Sequence, residues 1–216
     1  MSDLMVSATE YLDRTKSAAT HLVRGIDGYR AILRKAPVPV LTAEYSNREE
    51  HDAQIEAWLE SNADAIEARR RVESEYLAEH HALAALCGSL LQLSAMTIQL
   101  YSENARIPDC VTEIIQPKGR SLRFAVGRVV RTVPAGLIIY AGRNQYNHMD
   151  EKALREPNVS IFERLSTCSD YGDRIRDPAF DLSNDTVWNY AANIVALLGW
   201  TTYDAYRSDI ERMLNI

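Results

Sequence analysis

An arginine and a histidine separated by four residues form the pair in this sequence best suited to chemistry on a phosphodiester. Residues 143–148, the RNQYNH segment, read Arg-Asn-Gln-Tyr-Asn-His. A guanidinium can clamp a phosphate through its planar fork of donors and stabilise the extra negative charge of a pentacoordinate transition state. An imidazole, which ionises near neutral pH, can take a proton from a ribose 2′-hydroxyl or give one to the leaving 5′ oxygen. Arg143 and His148 therefore suit metal-independent cleavage of a ribose–phosphate chain.

The spacing of this pair limits how it can act. On a regular α-helix, residues five apart are rotated by about 140° from each other. Arg143 and His148 would then not share a face, whereas Asn144 and His148 would. We therefore expect either a broken turn at Gly142 and Arg143, or convergence of the RNQYNH segment with its copy in a second subunit. A two-fold dimer would supply one histidine as the acid and the other as the base.

The elements that must position this segment lie directly before it in the chain. Residues 134–142 are largely apolar, and Pro134 is well placed to start a helix, which puts the RNQYNH segment at or near a helix end. A further helix is predicted from about residue 120 to residue 133. Valines occupy one of its faces, and four arginines fall within an arc of about 140° on the other. These arginines are Arg120, Arg123, Arg128 and Arg131.

This region is also a basic strip in an acidic protein. Residues 114–149 contain no Asp or Glu, although the whole chain carries a formal net charge of −6. We predict that Lys118 and the four arginines of the predicted helix bind RNA. The same arginines would equally fit a solvated face that pairs with acidic residues of another helix, and the sequence leaves both interpretations open.

Helix signals continue through the rest of the chain, and strand signals are nearly absent. Residues 3–35 predict one long helix or two shorter ones. The capping-box sequence Ser46-Asn47-Arg48-Glu49 then predicts a helix start. Leucines at alternating spacings of three and four, between residues 83 and 100, predict the seam of a long bundle helix. This helix is expected to be interrupted near Ser61 and Asn62 or at Gly88.

The C-terminal third completes the predicted bundle. Helices are expected within residues 154–165, 183–200 and 201–214, and an exposed loop at residues 171–181, which are rich in Asp, Gly and Pro. The fold class predicted is all-α, a helical bundle with a long central helix. We expect one domain over residues 1–216, made of an N-terminal helical segment (residues 1–36) and the bundle (residues 45–215).

Composition excludes several classes of protein. The chain has 216 residues, 46% of them hydrophobic and 25% charged, as in an ordinary globular protein. Three cysteines without a C-x-x-C pair argue against a zinc knuckle or a disulfide framework. The N-terminus lacks signal-peptide features, and we expect no stretch close to the roughly 18 apolar residues of a membrane span. These observations predict a cytoplasmic protein without a membrane partner, and no metal or cofactor is expected.

The residues RNQYNH resemble the Arg-Asn-x-x-x-His signature of the HEPN superfamily. The resemblance implies an all-α bundle with the signature near a helix start, a homodimer with a composite cleft and, in many members, metal-independent ribonuclease activity. It also implies that Arg143 contacts the scissile phosphate, that Asn144 holds the segment or the substrate, and that His148 is the acid or base. Some members carry a Tyr two positions after the His, as a target of a partner antitoxin. Here that position is Asp150.

The leading hypothesis is therefore a HEPN-type endoribonuclease, acting as a toxin or a phage-defence effector and regulated by an antitoxin or another protein. Cleavage would leave a 2′,3′-cyclic phosphate and a 5′-hydroxyl. One alternative is a non-catalytic helical interaction or regulatory protein, in which the RNQYNH segment only stabilises a dimer. Another is an RNA-binding module of the same fold without catalysis.

Overall fold

The structure, a computed structural model, describes residues 6–34, 40, 47–149, 154–169 and 175–216. Its architecture is all-α, which confirms the predicted fold class. Between residues 102 and 134 lie two short 3-10 turns, Asp109–Val111 and Arg120–Phe124, and a hairpin of β1 (Val129–Val130) and β2 (Val133–Pro134). The α-helices are α1 (Ala8–Arg34), α2 (Arg48–Ser61), α3 (Ala63–Tyr101), α4 (Ala135–Asn147), α5 (Asn158–Thr167), α6 (Ala191–Leu197) and α7 (Tyr203–Leu214).

The chain divides into two compact units. The larger combines Met1–Ile26 with Leu83–Ile216, and the smaller is Asp27–Ala82. The boundaries fall within α1 and within α3, because both helices run from one unit into the other. The organisation of the whole chain as a single domain stays a prediction.

Helix α4 lies at the centre of the larger unit, where it contacts the Arg120–Phe124 turn, α5 and α6. Residues 135–139 and 141–142 are all buried, as expected for a helix that is apolar on nearly every side. A Cβ atom added to Gly142 would collide with the side chain of Ile194 and would lie 3.1 Å from Leu91. Close packing at this glycine therefore fixes the last turns of α4 against α3 and α6.

Helix α3 confirms the predicted apolar seam in part, because Leu83, Leu90 and Thr97 are buried, whereas Leu86 and Leu93 are half-buried and Leu100 is exposed. Leu83, Leu90 and Leu91 are at most 1% exposed, and Cys87 is completely buried among them. The helix continues through Gly88 and is interrupted at Asn62, where α2 ends. Of the two predicted interruptions, the one near Ser61 and Asn62 is confirmed.

The other helix boundaries follow the sequence signals closely. Helix α1 is one continuous helix. The N-cap of α2 is Asn47, whose side chain accepts a hydrogen bond from the Glu50 N–H at 2.9 Å. This start lies one residue after the predicted cap Ser46, which is outside the described residues. Thr202 caps α7 in the same way, by accepting from the Ala205 N–H at 3.1 Å.

The predicted helix from residue 120 to residue 133 is wrong. Only Arg120–Phe124 forms a short 3-10 turn, and the chain then enters the β1–β2 hairpin. Gly127, at φ 86°, has left-handed backbone geometry that ends any helix there. Arg131 and Thr132, at φ 47° and 65°, form the two-residue connection between the strands. The single basic helix face predicted from the sequence is therefore absent.

Two further expectations need correction. The segment Glu79–Tyr101 of α3 is long and apolar enough to cross a membrane, whereas we expected no such stretch. More than half of the 18-residue window that meets this test is buried inside the protein, as in the core helix of a water-soluble protein, so this is weak evidence for a membrane span. In the predicted exposed loop, residues 171–174 lie outside the described residues, and Asp177 and Phe180 are buried.

Candidate functional site

A cavity of about 970 Å³ lies at the C-terminal end of α4. Three segments of the larger unit form most of its wall: the Arg120–Phe124 turn with the two residues before it, the outward side of α4, and residues 154–158 at the start of α5. Its lining residues are Gln99, Lys118, Gly119, Arg120, Arg123, Phe124, Tyr140, Arg143, Asn144, His148, Leu154, Arg155, Glu156 and Asn158.

Helix α4 brings Arg143, Asn144 and His148 to this cavity from within one chain. Tyr140, Asn144 and His148 follow one another at intervals of four residues, which places them on the same side of the helix, and Arg143 lies beside Asn144. His148 is the C-cap of α4, with φ −122° and ψ 27°. Arg143 and His148 therefore line the same cavity although they are five residues apart in the chain.

Of the two alternatives expected for the RNQYNH segment, the broken turn is therefore wrong, and convergence with a copy in a second subunit stays a prediction; the position that the resemblance implies is also wrong. The helix is not broken at Gly142 and Arg143, because α4 continues through both residues to Asn147. The segment also occupies the last turn of a helix, whereas the HEPN resemblance implies a position near a helix start. The position at or near a helix end, predicted from the apolar stretch and Pro134, is confirmed.

Arg143 is held by two side chains. Its Nε donates a hydrogen bond to Gln92 Oε1 on α3 at 2.8 Å, and its Nη1 donates to Asn144 Oδ1 at 3.0 Å. A guanidinium carries five N–H donors, and among the described residues no hydrogen-bond partner takes the Nη2 donors. The Nε and Nη1 hydrogen bonds therefore orient the Arg143 guanidinium, and its Nη2 donors are suited to bind an anion in the cavity.

Asn144 extends this arrangement to α5. Its Nδ2 donates to Asn158 Oδ1 at 3.2 Å, and Asn158, the first residue of α5, is only 7% exposed. Gln92, Arg143, Asn144 and Asn158 thus form a hydrogen-bonded chain across α3, α4 and α5. We refer to these four residues as the amide–guanidinium chain.

Gln145 points to the opposite side of the helix and anchors it. Its side chain is buried, and its Nε2 donates to the backbone oxygen of Trp188 at 3.0 Å. Its Oε1 accepts from the Tyr190 N–H at 3.1 Å. Tyr146 packs directly on Gly88 of α3, where a Cβ atom would collide with the tyrosine ring. Residues 145 and 146 therefore fix the helix, while their neighbours line the cavity.

The cavity is strongly basic. Its lining includes five Lys and Arg side chains, and Glu156 is the only carboxylate among the lining residues of the described chain. Arg123 is also fixed in place, since its Nη1 donates to the backbone oxygen of Gln99 at 2.9 Å. A concave surface with an excess of cations attracts polyanions even when the whole protein is acidic. The five cationic residues are Lys118, Arg120, Arg123, Arg143 and Arg155.

Arg128 and Arg131, two of the predicted RNA-binding residues, do not line this cavity. Arg128 pairs with the buried Asp209 of α7 at 3.1 Å and donates to the backbone oxygen of Leu198. Arg131 pairs with the buried Asp177 at 2.7 Å and lies over the ring of Phe180. Both arginines follow the alternative that the sequence left open, pairing with acidic residues of another element.

The predicted site residues are thus divided by the structure. Lys118, Arg120 and Arg123 line the same cavity as Arg143, Asn144 and His148, and the other two predicted arginines lie elsewhere. Sequence reasoning missed Gln92, Arg155, Glu156 and Asn158. One signal pointed to the last three, because a short connection between two predicted helices places the start of the second near the end of the first.

Comparisons of the chain with family models, curated proteins and solved structures found no match. Across the described parts of the chain, no group of three or more His, Cys, Asp or Glu residues is arranged to hold a metal ion. Any function proposed for this protein therefore rests on the side chains that line the cavity.

Proposed function

We propose that this protein is a metal-independent endoribonuclease of HEPN type. The observation that carries the proposal is that Arg143, Asn144 and His148 line one cavity together with Lys118, Arg120 and Arg123. In this proposal the basic residues hold the phosphates of the RNA, Arg143 stabilises the charge of the pentacoordinate phosphorus, and His148 transfers a proton. Attack by the 2′-hydroxyl leaves a 2′,3′-cyclic phosphate and a 5′-hydroxyl.

The proposal includes a homodimer and a cellular role as a toxin or phage-defence effector. A two-fold dimer would bring two copies of the RNQYNH segment into one assembly. An antitoxin or another regulatory protein would then restrain the activity in the cell. Sedimentation of the purified protein tests the dimer, and a change in growth when the chain is expressed alone tests the cellular role.

The test of the activity is cleavage of single-stranded RNA by the purified protein in the presence of EDTA. We expect the parent protein to release fragments with cyclic phosphate ends, and His148→Ala to cut at least about 100-fold more slowly. His21→Ala is a matched control, because His21 is exposed on α1 and bonded to a backbone oxygen of its own helix. Equal rates for the parent and His148→Ala would contradict the mechanism.

The amide–guanidinium chain supports a second candidate, a non-catalytic interaction or regulatory protein. The amide–guanidinium chain links α3, α4 and α5 by hydrogen bonds, so its polar residues stabilise the fold even without a substrate. In that case Arg143→Ala would lower the melting temperature or break the dimer, and no RNA would be cut. The basic cavity supports a third candidate, an RNA-binding module, for which salt-sensitive binding without cleavage is expected.

A further inference from the structure

We propose that Glu156 is a second catalytic residue of this cavity, the general base that removes the proton of the attacking 2′-hydroxyl, while His148 acts as the general acid. This inference rests on the proposed ribonuclease function and names the second acid–base group that the RNQYNH segment lacks. The juxtaposition that supports it is a carboxylate and an imidazole lining one basic cavity within a single chain.

The chemistry requires two proton transfers at opposite ends of the reaction. The 2′-hydroxyl must lose a proton as it attacks phosphorus, and the departing 5′ oxygen must gain one. One imidazole cannot remove the first proton and donate the second at the same moment. A single copy of the RNQYNH segment therefore needs a partner group, and residues of the same chain can supply it.

Glu156 is the group in the cavity that meets this requirement. The other charged side chains that line the cavity are Lys and Arg, which are poor bases when protonated. Glu156 lies two residues before Asn158, the first residue of α5, and its Oε2 accepts hydrogen bonds from Ser160 Oγ at 2.7 Å and from the Ser160 N–H at 3.3 Å. None of the described residues donates a hydrogen bond to its Oε1. One oxygen is thus held by the helix, and the other remains available to a hydroxyl.

The surroundings of Glu156 also suit an RNA substrate. Each of the three wall segments contributes cations to the cavity that Glu156 lines, and cations attract the phosphates of an RNA. In this proposal, the phosphate that these cations attract lies between Glu156 and His148. The charged and titratable groups that share the cavity with Glu156 are Lys118, Arg120, Arg123, Tyr140, Arg143, His148 and Arg155.

The step balances without any other reactant. The Glu156 carboxylate takes the proton from the 2′-hydroxyl, and the 2′ oxygen forms a bond to phosphorus. The bond between phosphorus and the 5′ oxygen breaks, and the His148 imidazolium gives its proton to that oxygen. The products are a 2′,3′-cyclic phosphate and a 5′-hydroxyl. Glu156 is left protonated and His148 neutral, and exchange with water restores both.

The experiment uses an RNA in which sulfur replaces one bridging 5′ oxygen. A thiolate leaves without protonation, so this substrate needs the general base but not the general acid. On ordinary RNA, we expect Glu156→Gln and His148→Ala each to lower kcat by about 10²- to 10⁴-fold. On the sulfur-containing RNA, His148→Ala should recover most of the loss, and Glu156→Gln should recover none of it.

The pH profile of kcat/KM gives a second readout. A base must be deprotonated and an acid protonated, so we expect Glu156→Gln to abolish the fall in rate on the acidic side and His148→Ala to abolish the fall on the alkaline side. Glu103→Gln is the matched control, because Glu103 is exposed and lies outside the cavity lining. Glu156→Asp keeps a carboxylate and should retain partial activity even where Glu156→Gln folds poorly.

Three results would overturn the inference. Glu156→Gln cutting ordinary RNA as fast as Glu103→Gln would show that the carboxylate takes no part. Recovery of Glu156→Gln on the sulfur-containing RNA would show that it does not act as the base. A parent protein that cuts neither RNA would overturn both this inference and the proposed function, whereas in the first two cases the parent protein still cleaves.

Discussion

The Nε of Arg143 donates a hydrogen bond to the side-chain oxygen of Gln92 at 2.8 Å, and this contact joins the last turn of α4 to α3. Asn147 donates to the same oxygen at 3.4 Å. Gln92 is not among the residues that line the basic cavity. It is therefore a positioning residue, which acts on the proposed reaction only through the orientation of the guanidinium.

The first prediction concerns this contact. We expect Gln92→Ala to lower kcat for RNA cleavage by about tenfold, because the loss of a hydrogen bond to a charged group lets the guanidinium turn away from the phosphate. KM should change less, since the other cations of the cavity still bind the RNA. Gln92→Glu keeps an acceptor at the same position and should restore most of kcat. An equal effect from Gln116→Ala, at an exposed position, would contradict the role of Gln92.

The second prediction separates the arginines of the cavity from those outside it. Binding of a 2′-O-methyl oligonucleotide, which cannot be cleaved, is measured at several salt concentrations. We expect Arg120→Ala to reduce the slope of log K against log salt by about 0.7, because one phosphate contact is lost. Arg128→Ala removes the same charge and should leave the slope unchanged. A larger change for Arg128→Ala would contradict this assignment of the binding surface.

The same Arg128→Ala variant should be less stable than the parent. Asp209 is 4% exposed and loses one of its partners, although Trp200 Nε1 still donates to it at 3.0 Å. We expect the free energy of unfolding in urea to fall by about 1–2 kcal/mol. Arg120→Ala, at an exposed position without a carboxylate partner among the described residues, should change it by less than about 0.5 kcal/mol.

The third prediction concerns acid stability. Arg176 donates to Glu163 at 2.8 Å and to Asp181 at 3.0 Å. Its hydrogen bonds lower the pKa of Glu163 and, together with bonds from Ser183, lower the pKa of Asp181 to about 2. A carboxyl group whose pKa is lower in the folded state stabilises the protein above its unfolded pKa, and this contribution is lost as the pH falls through the folded pKa.

For Arg176→Gln, we therefore expect a melting temperature about 2 °C below that of the parent at pH 6. This gap should narrow as the pH falls from about 4 towards about 2, because the parent loses the stabilisation that the variant already lacks. Thermal melts at closely spaced pH values measure it. A gap that stays constant between pH 6 and pH 3 would contradict the role of these two carboxylates.

The fourth prediction concerns the β1–β2 hairpin. Thr132 adopts φ 65°, a left-handed conformation that is unfavourable for a β-branched residue. We expect Thr132→Gly to raise the free energy of unfolding by about 0.5–1 kcal/mol. Thr112→Gly is the matched control, because Thr112 has an ordinary helical φ of −59°. We expect this variant to lower the free energy of unfolding by a similar amount. Destabilisation by Thr132→Gly would show that the threonine side chain outweighs the strain.

How far the sequence predicted the fold depends on whether the signal was local. The apolar stretch before Arg143 and the proline at residue 134 correctly placed α4 and the position of the RNQYNH segment near its end. The helix predicted from residue 120 to residue 133 was wrong because the periodicity of apolar residues does not report the sign of the backbone angle φ. Two consecutive left-handed residues there are an arginine and a threonine, and neither residue type signals a turn.

The candidate site was predicted only in part for a related physical reason. Arg128 and Arg131 pair with carboxylates 81 and 46 residues further along the chain, and no local pattern reports such partners. Glu156 and Asn158 reach the cavity because α5 packs against α4. The three predicted cations that do line the cavity lie just before or within the Arg120–Phe124 turn, which contacts α4.

The anchoring of Gln145 and Tyr146 has a consequence for any mutational scan of this chain. Two of the six consecutive positions from 143 to 148 face inward, one bonded to the backbone ahead of α6 and the other packed on a glycine of α3. We expect alanine at either position to lower the amount of folded protein, and so to weaken any cellular effect of the chain without a part in the proposed chemistry. Measuring the amount of folded protein for each variant, as well as its cellular effect, would separate positions that stabilise the fold from positions proposed to act on RNA. The cellular effect alone would not distinguish the two groups.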